Sequence, residues 1–477
     1  MNTFTALYPL LSVVVGALVV LLLEVFLKRE NRDYLAFVSV LFLLNAGREC
    51  IRVWNRGNTY FDGNLQLDNL ALLLCMILTL ATLFVILISM KYLRQQNANY
   101  GEYYALLLFA LSGMMIMVSS SDFLVIFLGL EVLSMSSYAL AGLKRGDERS
   151  TEAAVKYFLL GSFASAFLVF GLAFLYGAAH SLDISAVVGF FRSNDSLNMG
   201  LAGIGLVIIG FGFKIAVVPF HMWTPDVYEG SPTPITAFFS VGPKAVGFAV
   251  LIRLFHLYWS DALNSQIVSS ALWVIAVLTV VIGNLVALRQ RNIKRILAYS
   301  SIAHAGYLLV AILARDNGGL VFYLLVYLFM NIGAFAAVTA LTKKDTEYVD
   351  LEDFKGIGFR YPWIGATLAV FLFSLAGFPP TGGFLAKFYI FSSAVREGLI
   401  TLVIVGVLGS LVSVYYYLRI VVYMYMHPPS QEIEIDAYNP ALFLVLFLCL
   451  YGVLQLGIFP GNVLIVIKQA VASLPFL

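Results

Sequence analysis

Long apolar stretches alternate with short polar ones along the whole chain. A membrane-spanning helix needs about 20 mostly apolar residues, and fourteen stretches meet this requirement. Their approximate bounds are residues 8–27, 34–54, 68–92, 102–120, 122–143, 155–178, 200–222, 233–258, 270–288, 296–314, 319–341, 361–393, 401–425 and 440–468. The runs are continuous rather than alternating, which excludes a membrane β-barrel. The pattern predicts an all-α polytopic membrane protein with about fourteen transmembrane helices.

Two of these spans, 200–222 and 361–393, are interrupted by proline and glycine. Proline removes a helical hydrogen bond, and inside a bilayer the freed carbonyl must face protein or water. Broken helices in corresponding parts of two halves indicate a transport site between inverted repeats. Five-helix repeats over spans four to eight and nine to thirteen would make these two spans equivalent. Proline kinks that serve only packing are the alternative.

Composition narrows the class of protein. The 477 residues are 61% hydrophobic and 12% charged, with 29 Lys and Arg against 27 Asp and Glu and a mean hydropathy of +0.91. A soluble protein of this length must present a largely polar surface. This composition excludes a soluble enzyme and a disordered chain, and the near-neutral charge balance excludes a nucleic-acid-binding surface.

Known cofactor and metal motifs are missing from the sequence. Cys50, Cys75 and Cys449 are far apart and form no CxxC, so nothing indicates an iron–sulfur, zinc or haem site. No glycine-rich nucleotide loop occurs. Carboxylates within the spans are too few for a calcium or magnesium site, whereas sodium bound by backbone carbonyls at the helix breaks remains open.

The distribution of positive charge predicts the orientation. Cytoplasmic loops carry an excess of Lys and Arg. Placing the loop after the first span in the cytoplasm puts more than twice as many Lys and Arg on that side as on the other. Both termini then face away from the cytoplasm, although Arg48, Arg52 and Arg56 go against the rule. The first apolar run is too long for a signal-peptide core, so we interpret it as an uncleaved span.

Among the charged residues inside predicted spans, four are hard to explain as accidents: Glu131, Lys214, Lys244 and Lys387. Placing a charged side chain near the bilayer centre costs at least about 2.5–3.5 kcal/mol, so such a residue is interpreted first as functional. A buried lysine can take up and release a proton, and an approaching carboxylate stabilises its charged form. The alternative is that each lysine snorkels or forms a structural ion pair.

Other polar residues extend this pattern. His304 lies inside span ten, and an imidazole titrates near neutral pH. His221 follows Lys214 by seven residues, which would place both on one face of an unbroken helix. Asp226 is interpreted as a loop residue at the cytoplasmic mouth, or as a helix cap. Each histidine has a packing role as its alternative.

Two long segments of the chain are distinctive: FKIAVVPFHMWTPDVYEGSPTPITAFFSVGPKAVGF and SSIAHAGYLLVAI. Both resemble the antiporter-like membrane subunits of respiratory complex I. This family includes subunits of Mrp-type sodium–proton antiporters and of membrane-bound hydrogenases. Within the family, VYEGSPTPITAFFSVGPKAVGF, YVDLEDFKGIGFRYPW and SLAGFPPTGGFLAKFYIF are most similar to the N type of bacterial NADH–quinone oxidoreductase. The similarity covers nearly the whole chain.

The resemblance implies two inverted five-helix repeats, each with one broken helix. They would occupy residues 101–260 and 261–428, after a three-helix segment at 1–100 and before a last span within 429–477. The residues of the family's proton path would be Glu131 in span five, Lys214 in span seven, Lys244 in span eight, His304 in span ten and Lys387 in span twelve. Flavin, iron–sulfur clusters and the quinone cavity would belong to other subunits.

We therefore predict a proton-translocating membrane-arm subunit of a complex I-type enzyme in the bacterial inner membrane. Glu131 tunes Lys214, and protons pass through Lys244 and His304 to Lys387 and leave away from the cytoplasm. NADH and quinone react elsewhere in the complex, so no cofactor and no metal are expected in this chain. The expected partners are neighbouring membrane subunits, lipids and protons, without nucleic acid. The alternatives are an Mrp-type Na+/H+ antiporter subunit and a membrane scaffold that carries no ions.

Overall fold

A computed structural model describes residues 6–28, 31–56, 58–60, 64–193, 198–258, 265–429 and 439–474. The helices in this part of the chain are α1 (Tyr8–Phe26), α2 (Asp33–Val53), α3 (Asn69–Gln95), α4 (Glu102–Ser119), α5 (Phe123–Ala141), α6 (Glu148–Ala179), α7 (Ile184–Ser193), α8 (Asn198–Lys214), α9 (Trp223–Gly230), α10 (Thr233–Tyr258), α11 (Ser265–Ala287), α12 (Ile293–Leu313), α13 (Asn317–Ala340), α14 (Ile357–Arg360), α15 (Pro362–Ala376), α16 (Gly382–Arg396), α17 (Ile400–Met426), α18 (Pro440–Ile458) and α19 (Gly461–Val471). A 3-10 turn at Leu351–Phe354 precedes α14.

Twelve helices of the described ranges are long and apolar enough to cross a membrane. They correspond to twelve of the predicted spans. In the other two, helical structure is interrupted: α8 ends at Lys214 inside 200–222 and α9 begins only after its end, whereas 361–393 contains α15 and most of α16. The predicted polytopic helical fold is confirmed. The count of fourteen depends on treating each divided pair as one span and remains a prediction.

The predicted division into repeats also remains a prediction. The boundary between residues 260 and 261 lies outside the described residues. So do both chain ends and Arg29, which belongs to the predicted cytoplasmic charge.

One short β-ribbon departs from the all-helical prediction, because three-residue strands leave no periodic signal. Strands β1 (Asn58–Tyr60) and β2 (Leu65–Leu67) pair antiparallel between α2 and α3. Arg253 at the end of α10 lies beside the ribbon. Its guanidinium pairs with Asp68 at 2.9 Å and donates to the carbonyl of Val118 at 3.0 Å. This buried ion pair ties the central helix to the start of α3.

The helices form a buried centre and an apolar outer shell. In α10 every residue of the most apolar stretch is buried, and in α12 and α13 the share is 89%. In α1, α6 and α17 it is only 33%. Lipid chains are as apolar as leucine, so outer helices can expose leucine and phenylalanine without cost. The polar residues of α10 and α12 have no such solvent and must find partners inside the protein.

Side-chain caps fix where several of these helices begin. Asp68, Asp122, Asn292 and Asp316 each accept hydrogen bonds from backbone N–H groups in the first turn of α3, α5, α12 and α13. Such a cap contributes about 1 kcal/mol. It also sets the helical register, and thereby the positions of Glu131 on α5 and His304 on α12.

Two glycines bring α4 and α5 into close contact. A Cβ atom on Gly129 would lie 2.8 Å from the carbonyl oxygen of Gly113. Small residues at such contacts allow membrane helices to approach closely. Glu131 lies half a turn from this contact, so the glycines help to place it.

We predict that Gly129→Leu lowers the thermal unfolding midpoint of the purified complex by a few degrees, since overpacking costs about 1–3 kcal/mol. Gly205→Leu is the matched control, because a Cβ there meets no atom within 4 Å. Thermal unfolding in detergent measures both variants. Equal midpoints for the two would contradict the close contact.

Candidate functional site

Lys214 is the last residue of α8 and is buried at its contact with α5 and α6. Its ammonium donates a hydrogen bond to the Ser134 hydroxyl at 3.0 Å. The same nitrogen lies 5.7 Å from the centre of the Tyr157 ring, within range of a cation–π interaction. The lysine therefore has polar support from α5 and aromatic support from α6.

Glu131 lies on the same helix as the serine that binds Lys214, one turn earlier. Its carboxylate accepts a hydrogen bond from the Ser165 hydroxyl on α6 at 2.6 Å. No ion pair within 4.0 Å joins Glu131 to Lys214, both of which the structure describes. The structure therefore brings the two charges to one interface, on separate serines rather than in direct contact.

Lys244 follows Pro243 inside α10 and is also buried. Its ammonium donates to both the backbone carbonyl and the hydroxyl of Ser301 on α12. It lies 5.3 Å from the centre of the Tyr327 ring. Hydroxyl and aromatic support thus recur at the second lysine.

His304 lies one turn after Ser301 and is bonded on both sides of its ring. Nδ1 is 2.6 Å from the Tyr323 hydroxyl, and Nε2 is 3.3 Å from the Tyr417 hydroxyl. The Tyr417 hydroxyl is in turn hydrogen-bonded to Ser300. A line of hydroxyls and one imidazole therefore runs across α12, α13 and α17.

Lys387 lies in α16 and binds the C-terminal end of α15, on the other side of the break between these two helices. Its ammonium donates to the carbonyls of Leu375 and Ala376 and to the Ser410 hydroxyl, each at 2.9 Å. The last carbonyls of a helix have no partner within it and carry the negative end of the helix dipole. The break between α15 and α16 thus supplies acceptors for this cation.

Tyr307 lies between His304 and Lys387. Its ring centre is 5.6 Å from that of His304 and 5.2 Å from the ammonium of Lys387. Asn284 donates to the Tyr307 hydroxyl at 3.2 Å. The tyrosine connects the imidazole to the last lysine, and the sequence alone gave no reason to select it.

Side chains form hydrogen bonds with backbone groups at the first break, between α8 and α9. Trp223 donates from its indole to the carbonyl of Phe213 at 3.0 Å, and Thr279 accepts from the backbone N–H of Val218. The expectation that His221 shares a helical face with Lys214 is wrong, because α8 ends at Lys214 and His221 lies in the break. Lys214 and Lys387 also differ in their position relative to the helix breaks. Lys214 is the last residue of α8, before the first break, whereas Lys387 lies in α16, after the second break.

Asp226 is neither a loop residue nor a cap. It lies in the first turn of α9, inside the helix, because the chain resumes helical structure at Trp223. Its carboxylate binds Lys156 at 2.6 Å and Arg295 at 2.8 Å. Burial raises the pKa of Asp226, but the bonds from Lys156 and Arg295 outweigh it and the net pKa is below the usual value.

Glu347, in the loop after α13, is a central residue that the sequence did not reveal. Its carboxylate pairs with Lys144 and with Lys294, the latter at 3.3 Å, and accepts from the hydroxyls of Tyr92 and Thr233. Burial raises the pKa of Glu347, but Lys144 and Lys294 act in the opposite direction and outweigh burial. The resulting pKa is about 2, below the usual value. An acid in a polar loop looks ordinary in a sequence.

A polar cavity of about 470 Å³ adjoins Glu347, and Lys144, Glu229 and Lys294 are among its lining residues. From Lys294, residues Ser301 and His304 follow at helical spacings of seven and three, which places them on one face of α12. This face connects the cavity with the partner of Lys244 and with the imidazole.

In the described part of the chain, no group of three His, Cys, Asp or Glu side chains could hold a metal ion. Cys50, Cys75 and Cys449 are buried and free.

Hydrogen-bonded ionisable side chains along the interior of a helical membrane protein are typical of an ion or proton pathway. The sequence profile of the NADH:quinone oxidoreductase/Mrp antiporter membrane family matches residues 120–413. NADH-quinone oxidoreductase subunit N of Trichlorobacter lovleyi is 44% identical over 94% of this chain and 93% of that protein. The subunit N of Myxococcus xanthus is 42% identical, with 98% and 97% covered. The chain belongs to the NADH:quinone oxidoreductase/Mrp antiporter family, so the predicted resemblance is confirmed.

Solved structures agree with this assignment. A chain of respiratory complex I from Thermus thermophilus superposes with a TM-score of 0.82 at 33% identity, over 96% of this chain and 98% of that one. A chain of an archaeal membrane-bound sulfane sulfur reductase gives 0.86 at 25% identity, over 99% and 98%. A chain of the Mrp complex from Dietzia sp. gives 0.84 at 20% identity and shows the shared fold.

We predict that Glu347→Gln destabilises the protein by roughly 3–5 kcal/mol near neutral pH, because Lys144 and Lys294 lose their buried counter-charge. The folded-state pKa is below the usual value, so this stabilisation is present above about pH 4.5 and is lost as the pH falls toward 2. The gap in unfolding midpoint between wild type and variant should be constant from pH 6 to 8 and narrow below about pH 4.5.

Glu352→Gln is the control for that series, since exposed Glu352 pairs with nearby Lys355 on the surface and a surface ion pair contributes little. A Glu347→Gln protein as stable as the Glu352→Gln protein at pH 7 would contradict the role given to Glu347.

Proposed function

We propose that this chain is a proton-translocating membrane-arm subunit of a bacterial NADH–quinone oxidoreductase. The observation that carries the proposal is the set of three buried lysines, Lys214, Lys244 and Lys387, each supported by a serine hydroxyl and a tyrosine ring. Membership of the family and similarity to a complex I chain over nearly the whole length support the same conclusion.

The first part of the route is the pair Glu131 and Lys214. Movement of the carboxylate toward the ammonium stabilises the protonated lysine, and withdrawal favours proton release. In this structure the two groups occupy Ser165 and Ser134, which corresponds to the separated state. Exchange between separated and paired states would load and discharge Lys214.

The second part runs from Lys244 to Lys387. Ser301 holds Lys244, and His304 lies one helical turn further along α12. Hydroxyls and an imidazole in hydrogen-bond contact are the groups that pass protons between fixed sites. Tyr307 then bridges His304 to Lys387. We assign Lys387 to the end of this path.

Glu347 and its cavity form the side from which protons are taken up. Lys144, Arg145, Lys294 and Lys344 cluster at this end of the bundle, which by the positive-inside rule is cytoplasmic. Both termini then face away from the cytoplasm. The inverted repeats are assigned to residues 101–260 and 261–428, between the segment 1–100 and the last span in 429–477.

The redox chemistry belongs to other subunits, and this chain is proposed to hold no cofactor and no metal. Its partners are the neighbouring membrane subunits, lipids and protons. The Mrp-type sodium alternative requires free backbone carbonyls at a helix break. At the second break the carbonyls of Leu375 and Ala376 already bind the ammonium of Lys387, which favours protons over sodium.

We predict that Lys387→Met lowers NADH-driven proton uptake by inverted membrane vesicles at least about tenfold, because a methionine fills the space without carrying a proton. Lys468→Met, at an exposed lysine of α19, is the matched control. Assembly is verified on native gels.

Normal pumping by an assembled Lys387→Met complex would support the alternative that this chain is a membrane scaffold that carries no ions. Sodium-dependent transport by vesicles that oxidise no NADH would support the Mrp-type antiporter.

A further inference from the structure

Asn331 carries a buried amide in the middle of α13. Its exposed fraction is 0%, and among the described residues neither the oxygen nor the nitrogen of the amide has a hydrogen-bond partner. Burying an amide without a partner costs roughly 2–7 kcal/mol. Buried polar groups nearly always bind protein or ordered water. An amide at this depth that no protein group binds is therefore a candidate water site.

Contacts on either side fix where Asn331 lies on α13. One turn before it, the Tyr327 ring lies 5.3 Å from the ammonium of Lys244 on α10. One turn after it, the ring of Phe335 lies 6.4 Å from that of Tyr228 on α9. Asn331 therefore lies between the level of Lys244 and the proposed cytoplasmic end of the bundle.

A line of buried polar side chains runs along α10 at the same interface. Its members are Thr233, Thr236, Ser240 and Lys244. Their spacings of three, four and four residues place them on one face of the helix. The Thr233 hydroxyl donates to the carboxylate of Glu347 at 2.8 Å. This face therefore leads from the polar cavity beside Glu347 to the buried ammonium of Lys244.

Ser240 on α10 occupies the same level as Asn331 on α13. The Thr236 hydroxyl donates to the carbonyl of Tyr228, whose ring packs on α13 one turn after Asn331. The order of these contacts along α10 is the reverse of their order along α13, so the two helices run antiparallel. Ser240 is midway between the two contacts on α10, and Asn331 is midway between them on α13.

The polar groups at this level suit a water molecule. The Ser240 hydroxyl donates to the carbonyl of Ala237 at 2.7 Å, which leaves its oxygen free to accept. It is not within hydrogen-bond distance of the Asn331 amide. A buried water needs roughly two to four polar partners. A water between the two side chains would accept from the amide nitrogen and donate to the serine oxygen.

We propose that Asn331 and Ser240 hold a buried water beside Lys244, and that protons from the Glu347 cavity reach Lys244 through this water. The inference rests on the proposed proton path and adds two positioning residues to it. The water accepts a proton from the cavity side and passes another of its protons to the neutral amine of Lys244. The amide of Asn331 gains and loses no proton, and its role is to hold the water in place.

X-ray radiolysis of the purified whole complex tests for the water directly. Irradiation forms hydroxyl radicals from bound water, and mass spectrometry detects the oxidised side chains beside it. In the wild type we expect oxidation of Tyr327, one turn from Asn331, although its side chain is buried. Asn331→Leu keeps a similar volume without the amide and should lower this oxidation to background. Tyr103 on α4 is the internal reference and should be labelled equally in both proteins.

Proton pumping tests the role of the water. In the assembled complex, Asn331→Leu should lower NADH-driven proton uptake by inverted vesicles at least about tenfold, because Lys244 loses its supply. Asn331→Ser leaves room for water and a hydroxyl to bind it, so it should retain most of the Tyr327 oxidation and of the pumping. Thr339→Val is the matched control on α13 and should pump normally. The buried Thr339 hydroxyl donates only within its own helix, to the carbonyl of Phe335 at 2.8 Å.

Three results would overturn the proposal. Unchanged Tyr327 oxidation in Asn331→Leu would show that no water depends on the amide. Normal pumping by the assembled Asn331→Leu complex would show that the water does not lie on the path. Equal loss of pumping in Asn331→Leu and Asn331→Ser would indicate a packing role.

Failure of the proposed function would be a separate result. Normal pumping by Lys387→Met would remove the proton path, whereas Tyr327 oxidation requires no NADH and reports on the water by itself. Impaired pumping by Lys387→Met with normal pumping by Asn331→Leu would leave the proposed function intact and overturn only this inference.

Discussion

A lysine ammonium buried among membrane helices must have hydrogen-bond acceptors, and this requirement explains much of the architecture. Water is absent from the bilayer core, so acceptors come from serine hydroxyls or from backbone carbonyls of neighbouring helices. Ser134, Ser301 and Ser410 supply hydroxyls to the three lysines. The end of α15 supplies carbonyls to Lys387. The helix breaks are thus part of the solvation of the charges.

The same constraint accounts for the distribution of polarity among the helices. Outer helices expose apolar residues that lipid covers, while α10 and α12 in the centre carry the buried Lys244 and His304. The tyrosine rings beside each ammonium add electrostatic support without adding a competing charge. In the proposed relay a lysine can hold a proton and still release it, because no carboxylate is bound directly to any of the three lysines in the described residues.

The sequence predicted the parts that are governed by the bilayer itself. Charge inside apolar runs selected Glu131, Lys214, Lys244 and Lys387, and proline and glycine selected the two divided spans. What failed depended on tertiary contacts. His221 was placed by assuming an unbroken helix, and Asp226 by assuming a loop. Partners such as Tyr417 on α17 are far away in sequence from His304, and nothing local marks them.

The central claim is that Lys214 belongs to a coupled proton path, and its most direct test is NADH-driven proton pumping by inverted membrane vesicles with Lys214→Ala. Assembly of the complex is confirmed first, so that a loss of activity reports on transport. The account predicts that NADH oxidation and proton pumping both fall at least about tenfold in the assembled variant. Unchanged oxidation and pumping would show that the buried lysine is structural, and would contradict the account.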